Sequence, residues 1–156
     1  MNKEGKMDKL LVKDWMTGDP ITVDTTNNLS TAYHLMRMNS VRRLPVLDEA
    51  EHLVGIVTWG DIREARPKAS ASMTMEPTWE IHFLAGIRGV REFMTPDPVA
   101  VTPQTPIRRA AQLMLENKIG GLPVVEHEHV VGMISETDIF RFLLTYLEEP
   151  VLEPAH

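Results

Sequence analysis

The chain has 156 residues, 43% of them hydrophobic and 24% charged, with a net charge of −6 and no cysteine. That length supports one compact domain or two small modules sharing a core. The acidic balance excludes generic binding to a nucleic-acid backbone, and the missing cysteines exclude disulfides, thiol catalysis and thiolate metal sites.

The opening stretch, VKDWMTGDPITV (12–23), predicts a short helix anchored by Trp15 and then a β-branched strand, Pro20-Ile21-Thr22-Val23. Apolar residues at 29, 32, 33 and 36 have helical spacing. Strands are predicted at 44–47 and 53–57, joined by the polar turn DEAEH. A helix begins at Thr58-x-x-Asp61. Residues 66–77, RPKASASMTMEP, read as a linker. The following TWEIHFLAGIRGVREFM predicts a helix capped by Thr78, with apolar residues at 81, 84 and 87.

The pattern then starts again. VREFMTPDPVAV (90–101) matches 12–23 in register, with Phe93 in the place of Trp15 and a strand at Pro98-Val99-Ala100-Val101. A helix follows with apolar residues at 107, 110, 111 and 114, with Thr105 as its N-cap and Pro106 as its first residue. Strands at 122–125 and 130–134 flank the turn EHEH, and the last helix begins at Ser135-x-x-Asp138. Leu44-Pro45-Val46 aligns with Leu122-Pro123-Val124, Gly55 with Gly132, and Asp61 with Asp138. The chain is thus two copies of one β-α-β-β-α unit, 12–65 and 90–146, with the connector 66–89 between them. The fold class is α/β (α+β). One unit of this size is marginal alone, so the two pack together about a pseudo-twofold axis and form two related clefts.

A hydroxyl followed three residues later by a carboxylate is the pattern of a capping box. It is also a ligand grip. The start of a helix favours an anion, the hydroxyl adds a hydrogen bond to a phosphate, and the carboxylate accepts from vicinal ribose hydroxyls. The two roles are compatible, and the second gains weight because the pair occurs twice at the same point of a repeat. Arg42-Arg43, just before a strand, adds planar donors suited to phosphate. Arg63 and Arg141 are expected on the surface. Glu126-His127-Glu128-His129 has the residue types of a metal site but no third ligand at proper spacing, so it reads as a solvated turn and no metal is expected. Trp59, between Thr58 and Asp61, covers either a ligand or a partner subunit. No nucleophile–base set, glycine-rich dinucleotide loop or Walker loop is present, so no catalytic residue is assigned and the chain is not read as an enzyme.

These residues resemble a pair of CBS domains, the unit named after cystathionine β-synthase and, in tandem, called a Bateman module. The resemblance rests on Met16-Thr17 with Pro20-Ile21-Thr22-Val23, on Arg43-Leu44-Pro45-Val46 with Gly55-Ile56-Val57-Thr58-x-x-Asp61, and on their counterparts in the second copy. The connector resembles that of the acetoin-utilisation subgroup. The resemblance implies a regulatory sensor of adenosine-based ligands: AMP, ADP, ATP or S-adenosylmethionine. It implies one site of Thr58 and Asp61 with Val99, Ala100, Ile119, Gly120 and Gly121. It implies a second of Ser135 and Asp138 with Ile21, Thr22, Val41, Arg42 and Arg43. In this arrangement the Thr58 site faces no charged residue, so the Ser135 site is expected to prefer phosphorylated ligands. A homodimer, built from the last helix with Phe140, Leu143, Leu144 and Leu147, and an effector protein are the expected partners. With no apolar run long enough for a signal peptide or a membrane span, a cytoplasmic location is expected.

Overall fold

The structure is a computed structural model and describes residues 10–65 and 87–147. A 3-10 turn at Val12–Asp14 leads to β1 (Thr17–Gly18), β2 (Val23–Asp24), α1 (Leu29–Asn39), β3 (Arg43–Leu47), β4 (Leu53–Thr58) and α2 (Trp59–Glu64). The second half runs α3 (Val90–Phe93), β5 (Thr95–Pro96), α4 (Ile107–Asn117), β6 (Gly121–Glu126), β7 (His129–Ser135) and α5 (Glu136–Tyr146). The expected connector helix, apart from its last residues at 87–89, lies outside the described residues.

Local chemistry sets the element ends. Asn28 caps α1 by accepting from the Thr31 N–H at 2.8 Å. The equivalent cap in the second half differs from expectation. Pro106 is the N-cap of α4, and the Thr105 hydroxyl instead accepts from the Thr102 N–H, so it closes the turn before the helix. Both α1 and α4 end on a left-handed residue, Ser40 and Lys118, each at φ 54°. The hairpin β6–β7 turns on His127 and Glu128, at φ 49° and 67°. With Glu126 paired to His129, this is a two-residue loop with both residues left-handed, the geometry a type I′ turn requires.

The sheets exchange strands between the repeats. One sheet has the order β2-β3-β4-β5, and its edge strand β5 comes from the second repeat. The other has the order β1-β7-β6, and its edge strand β1 comes from the first repeat. The segments before these strands cross over too. Val12 is fully buried in the core of the second half, with Val101, Ile107, Leu122, Val124 and Ile134, and Trp15 and Met16 pack against it. Val90 is fully buried in the core of the first half, with Leu29, Met36, Leu44 and Val57, and Phe93 and Met94 pack against it. The backbone zips the exchange closed: the Val12 N–H donates to Thr105 and the Ile107 N–H to Leu10, while the Leu29 N–H donates to Arg88 and the Val90 N–H to Asn27. Two glycines make room for it. A Cβ on Gly55 would fall on the Met94 sulfur, and one on Gly132 would lie 2.7 Å from the Met16 sulfur.

The β-α-β-β-α order holds in each copy, but the predicted first strands are shorter and displaced. Ile21-Thr22 and Val99-Ala100 are outside strands, and only Val23 and Val101 reach the sheet, pairing in parallel with Val46 and Val124. The freed residues carry the chain from one sheet to the other.

Candidate functional site

Two clefts open between the repeats. The larger, about 1160 Å³, is lined on one side by Thr58, Trp59 and Arg63 and on the other by Val99, Ile119, Gly120 and Gly121. The smaller, about 600 Å³, is lined by Ser135, Glu136 and Asp138, and opposite them by Ile21, Val41, Arg42 and Arg43. Each cleft therefore joins the helix start of one repeat to the strand entrance of the other, as the composite arrangement requires.

At each helix start the hydroxyl and carboxylate are bonded to each other. The Thr58 hydroxyl donates to Asp61 Oδ2 at 2.9 Å, the Thr58 N–H donates to the same oxygen at 2.7 Å, and the Asp61 N–H returns a bond to Thr58 Oγ1 at 3.3 Å. Ser135 repeats the first two, donating to Asp138 Oδ2 from its N–H at 2.8 Å and from its hydroxyl at 3.0 Å. Asp138 is 4% exposed and is the one buried charged side chain among the described residues. Its second oxygen lies 3.4 Å from the Arg141 guanidinium. The capping role is thus real, and it leaves Thr58, Ser135 and Asp138 on the cleft walls.

Three expected residues line neither cleft. Asp61 is turned onto its own cap. Thr22 and Ala100 line neither cleft, although their neighbours Ile21 and Val99 do. Asp19 and Asp97, at aligned positions before the prolines, have φ 46°; Asp19 lines the Ser135 cleft and Asp97 the Thr58 cleft. Aspartate tolerates this left-handed conformation better than most residues.

The expectation that the Thr58 side faces no charge is overturned. Arg42 and Arg43 line both clefts, because Gly120 and Gly121 have no side chains and Arg43 lies across them. A Cβ on Gly120 would meet the Arg43 guanidinium, and would also lie 3.2 Å from the Glu136 carboxyl carbon. Burial pushes Arg43 below the ordinary arginine pKa; the Glu136 carboxylate raises it and Arg42 lowers it. Arg37, Arg63 and Lys118 also line the Thr58 cleft, Arg63 among them being expected on the surface. Repeat alignment carries a signal for the others: Lys118 aligns with Ser40 and Arg37 with Leu115, so each is a charge found in one copy only.

Trp59 stacks on Tyr33, with ring centroids 5.4 Å apart and 22° between planes, while lining the Thr58 cleft. At the far ends of the two central hairpins, His52 and His129 lie 6.2 Å apart, and His52 Nε2 is 3.9 Å from Glu128. The two turns meet there, and among the described residues no cluster of three or more His, Asp or Glu side chains is placed to hold a metal ion.

Comparison with known proteins gives this geometry a context. The family model for the CBS domain matches residues 12–68 and 90–145. A CBS domain-containing protein of Dictyostelium discoideum is 31% identical over 90% of this chain and 95% of its own length. Among solved structures, CBSX2 in complex with AMP superposes with a TM-score of 0.73 at 28% identity, covering 88% of this chain and 99% of that one. A CBS domain pair in complex with 5′-methylthioadenosine and S-adenosyl-L-methionine gives 0.70 at 27% identity, covering 86% and 96%. A Vibrio cholerae protein assigned to acetoin utilization gives 0.70 at 32% identity, covering 90% and 98%. Two relatives named as enzymes, L-aspartate semialdehyde sulfurtransferase and inosine-5′-monophosphate dehydrogenase of Methanocaldococcus jannaschii, are matched over only 24% and 23% of their own length, so what is shared is one segment of each.

Proposed function

This chain belongs to the CBS domain family, and from that premise we propose that it is a regulatory module binding adenosine-based ligands in the clefts between its repeats. The observation that carries the reading is the pairing of a hydroxyl–carboxylate cap from one repeat with the strand entrance of the other, made twice. Complexes of similar CBS pairs with AMP and with S-adenosyl-L-methionine support the ligand class. The candidates are AMP, ADP, ATP and S-adenosylmethionine. The base lies against Ile21 or Val99 and Val41 or Ile119, the ribose reaches the capped carboxylate by opening its bond to the hydroxyl, and phosphates meet the arginines. A ligand spanning the two repeats holds them in one relative packing. It acts as a signal only if it binds that packing more tightly than another. Calorimetry on ligand-free protein with these four compounds tests the reading; absence of heat from all of them at millimolar concentration removes it.

The partners follow from α5. Ile139 and Phe142 pack inward, with Phe142 and Trp15 in an edge contact at 5.5 Å. The other side leaves Phe140, Leu143, Leu144 and Leu147 exposed, spaced as a second apolar stripe. We infer that this stripe forms a homodimer and that the ligand state is passed from there to an effector protein. Light scattering at tens of micromolar reads the assembly directly. No helix among the described residues is long and apolar enough to cross a membrane.

A further inference from the structure

We propose that the Thr58 cleft is the polyphosphate site of the molecule and that the Ser135 cleft excludes phosphorylated ligands. This rests on the adenosine reading above and assigns a different ligand chemistry to each cleft.

The charged lining residues carry the argument. Arg37, Arg42, Arg43, Arg63 and Lys118 line the Thr58 cleft against one carboxylate, Asp97. Arg42 and Arg43 line the Ser135 cleft against three, those of Asp19, Glu136 and Asp138. Exposed arginines and lysines are usually solvated and signify nothing. Here the chain as a whole has 22 acidic and 16 basic residues, so an average patch of its surface is acid-rich. The Thr58 cleft reverses that ratio. Its cations also arrive from several directions: the last turn of α1, the entrance of β3, helix α2 and the left-handed end of α4. A triphosphate carries its charge along a chain of oxygens, and converging donors can engage it at several points. The volume allows it: about 1160 Å³ leaves room for a nucleoside triphosphate. The burial that disfavours the charge of Arg43 is offset by an anion bound beside it. On the Ser135 side a phosphate would meet three carboxylates, that of Glu136 among them.

The test uses the full chain, freed of ligand, in calorimetric titrations with adenosine, AMP, ATP, S-adenosylmethionine and inorganic tripolyphosphate. The expected order is ATP above AMP above adenosine, with the gap shrinking as salt is raised. Arg63→Ala and Lys118→Ala are each expected to weaken ATP about tenfold, as loss of one charge-assisted hydrogen bond does, and to leave adenosine and S-adenosylmethionine unmoved. Both residues are exposed, so neither change threatens the fold. Glu136→Lys, also at an exposed position, is expected to create a second ATP-binding phase. Equal affinity for adenosine and ATP, or ATP affinity indifferent to Arg63→Ala and Lys118→Ala, overturns the assignment while the adenosine reading stands. If no adenosine compound binds, that reading fails. Tripolyphosphate then decides the site by itself: binding lost in the Arg63→Ala, Lys118→Ala double variant sustains it, and no binding sinks it.

Discussion

At Arg42 and Arg43 the first repeat carries two guanidinium groups; at the aligned Gly120 and Gly121 the second carries no side chains. Further along, Trp59 aligns with Glu136 and Arg63 with Phe140. The backbone is nearly the same in both halves, down to the left-handed residues at Asp19 and Asp97 and at Ser40 and Lys118. The charges are not. Because the glycines leave a trough, Arg43 from one repeat reaches across the junction and serves both clefts. The difference teaches that a duplicated fold makes two equivalent frames, and that a few unpaired substitutions are enough to give them unlike chemistry. The same substitutions also divide the outer surface: the position that lines a cleft as Arg63 belongs, as Phe140, to the exposed apolar stripe of α5.

The largest expected difference between the halves lies in the two caps. Asp138 is buried and answers Ser135 and Arg141, whereas Asp61 is only partly buried. Asp138→Ala is expected to destabilise the protein by about 2–3 kcal/mol, and Asp61→Ala by about 1 kcal/mol, because unmet buried groups cost more than exposed ones. Urea unfolding measures both, and equal losses would erase the distinction. Next in size, Arg43→Ala is expected to weaken ligands in both clefts, each about tenfold, since one guanidinium lines both. Competition titrations with ATP and S-adenosylmethionine would show it, and an effect confined to one ligand would mean that Arg43 serves one cleft.

Gly120→Ala sharpens the same point with less force. Gly120 is not in a left-handed conformation, so the glycine is needed for space rather than for backbone freedom. The added methyl meets the far end of a flexible arginine, and the stability cost should stay below about 1 kcal/mol. Ligand affinity should change in both clefts as the guanidinium is displaced, and unchanged titrations would show that Arg43 is not held in the trough. The smallest effect contrasts the hairpins. The β6–β7 turn holds two left-handed residues without a glycine, while the β3–β4 turn holds one, Glu51 at φ 62°. Glu128→Gly is expected to stabilise by about 0.5–1 kcal/mol, since glycine adopts that conformation without the steric cost of a Cβ. A thermal melt that moves downward would rule this out.

Much of the site was legible before any coordinates. A repeated hydroxyl-x-x-carboxylate after a glycine-containing strand is a local pattern, set by capping chemistry within four residues, and both copies fold as it dictates. The pairing of Thr58 with Ile119, Gly120 and Gly121, and of Ser135 with Ile21, Val41 and Arg42, followed from resemblance to a family, and the clefts bring those residues together. Asp61 lines neither cleft because, in the first turn of α2, it closes the capping box that its own pattern predicts, whereas Thr22 and Ala100 lie on backbone outside the strands, where side-chain direction is not encoded in the neighbouring residues.

What the sequence determined by itself was the duplication, the order of elements and the two helix starts at Thr58 and Ser135. All three depend on residues near one another in the chain: turn formers, cap residues and the spacing of apolar side chains. What only the tertiary structure decided was the exchange of β1 and β5 between sheets and the sign of the charge in each cleft. The first turns on whether Val12 and Val90 find their apolar contacts in their own half or in the other, and they are buried in the other. The second turns on how far an arginine can reach across two glycines. Both are matters of distance through space between segments far apart in the chain, which no periodicity along the chain records.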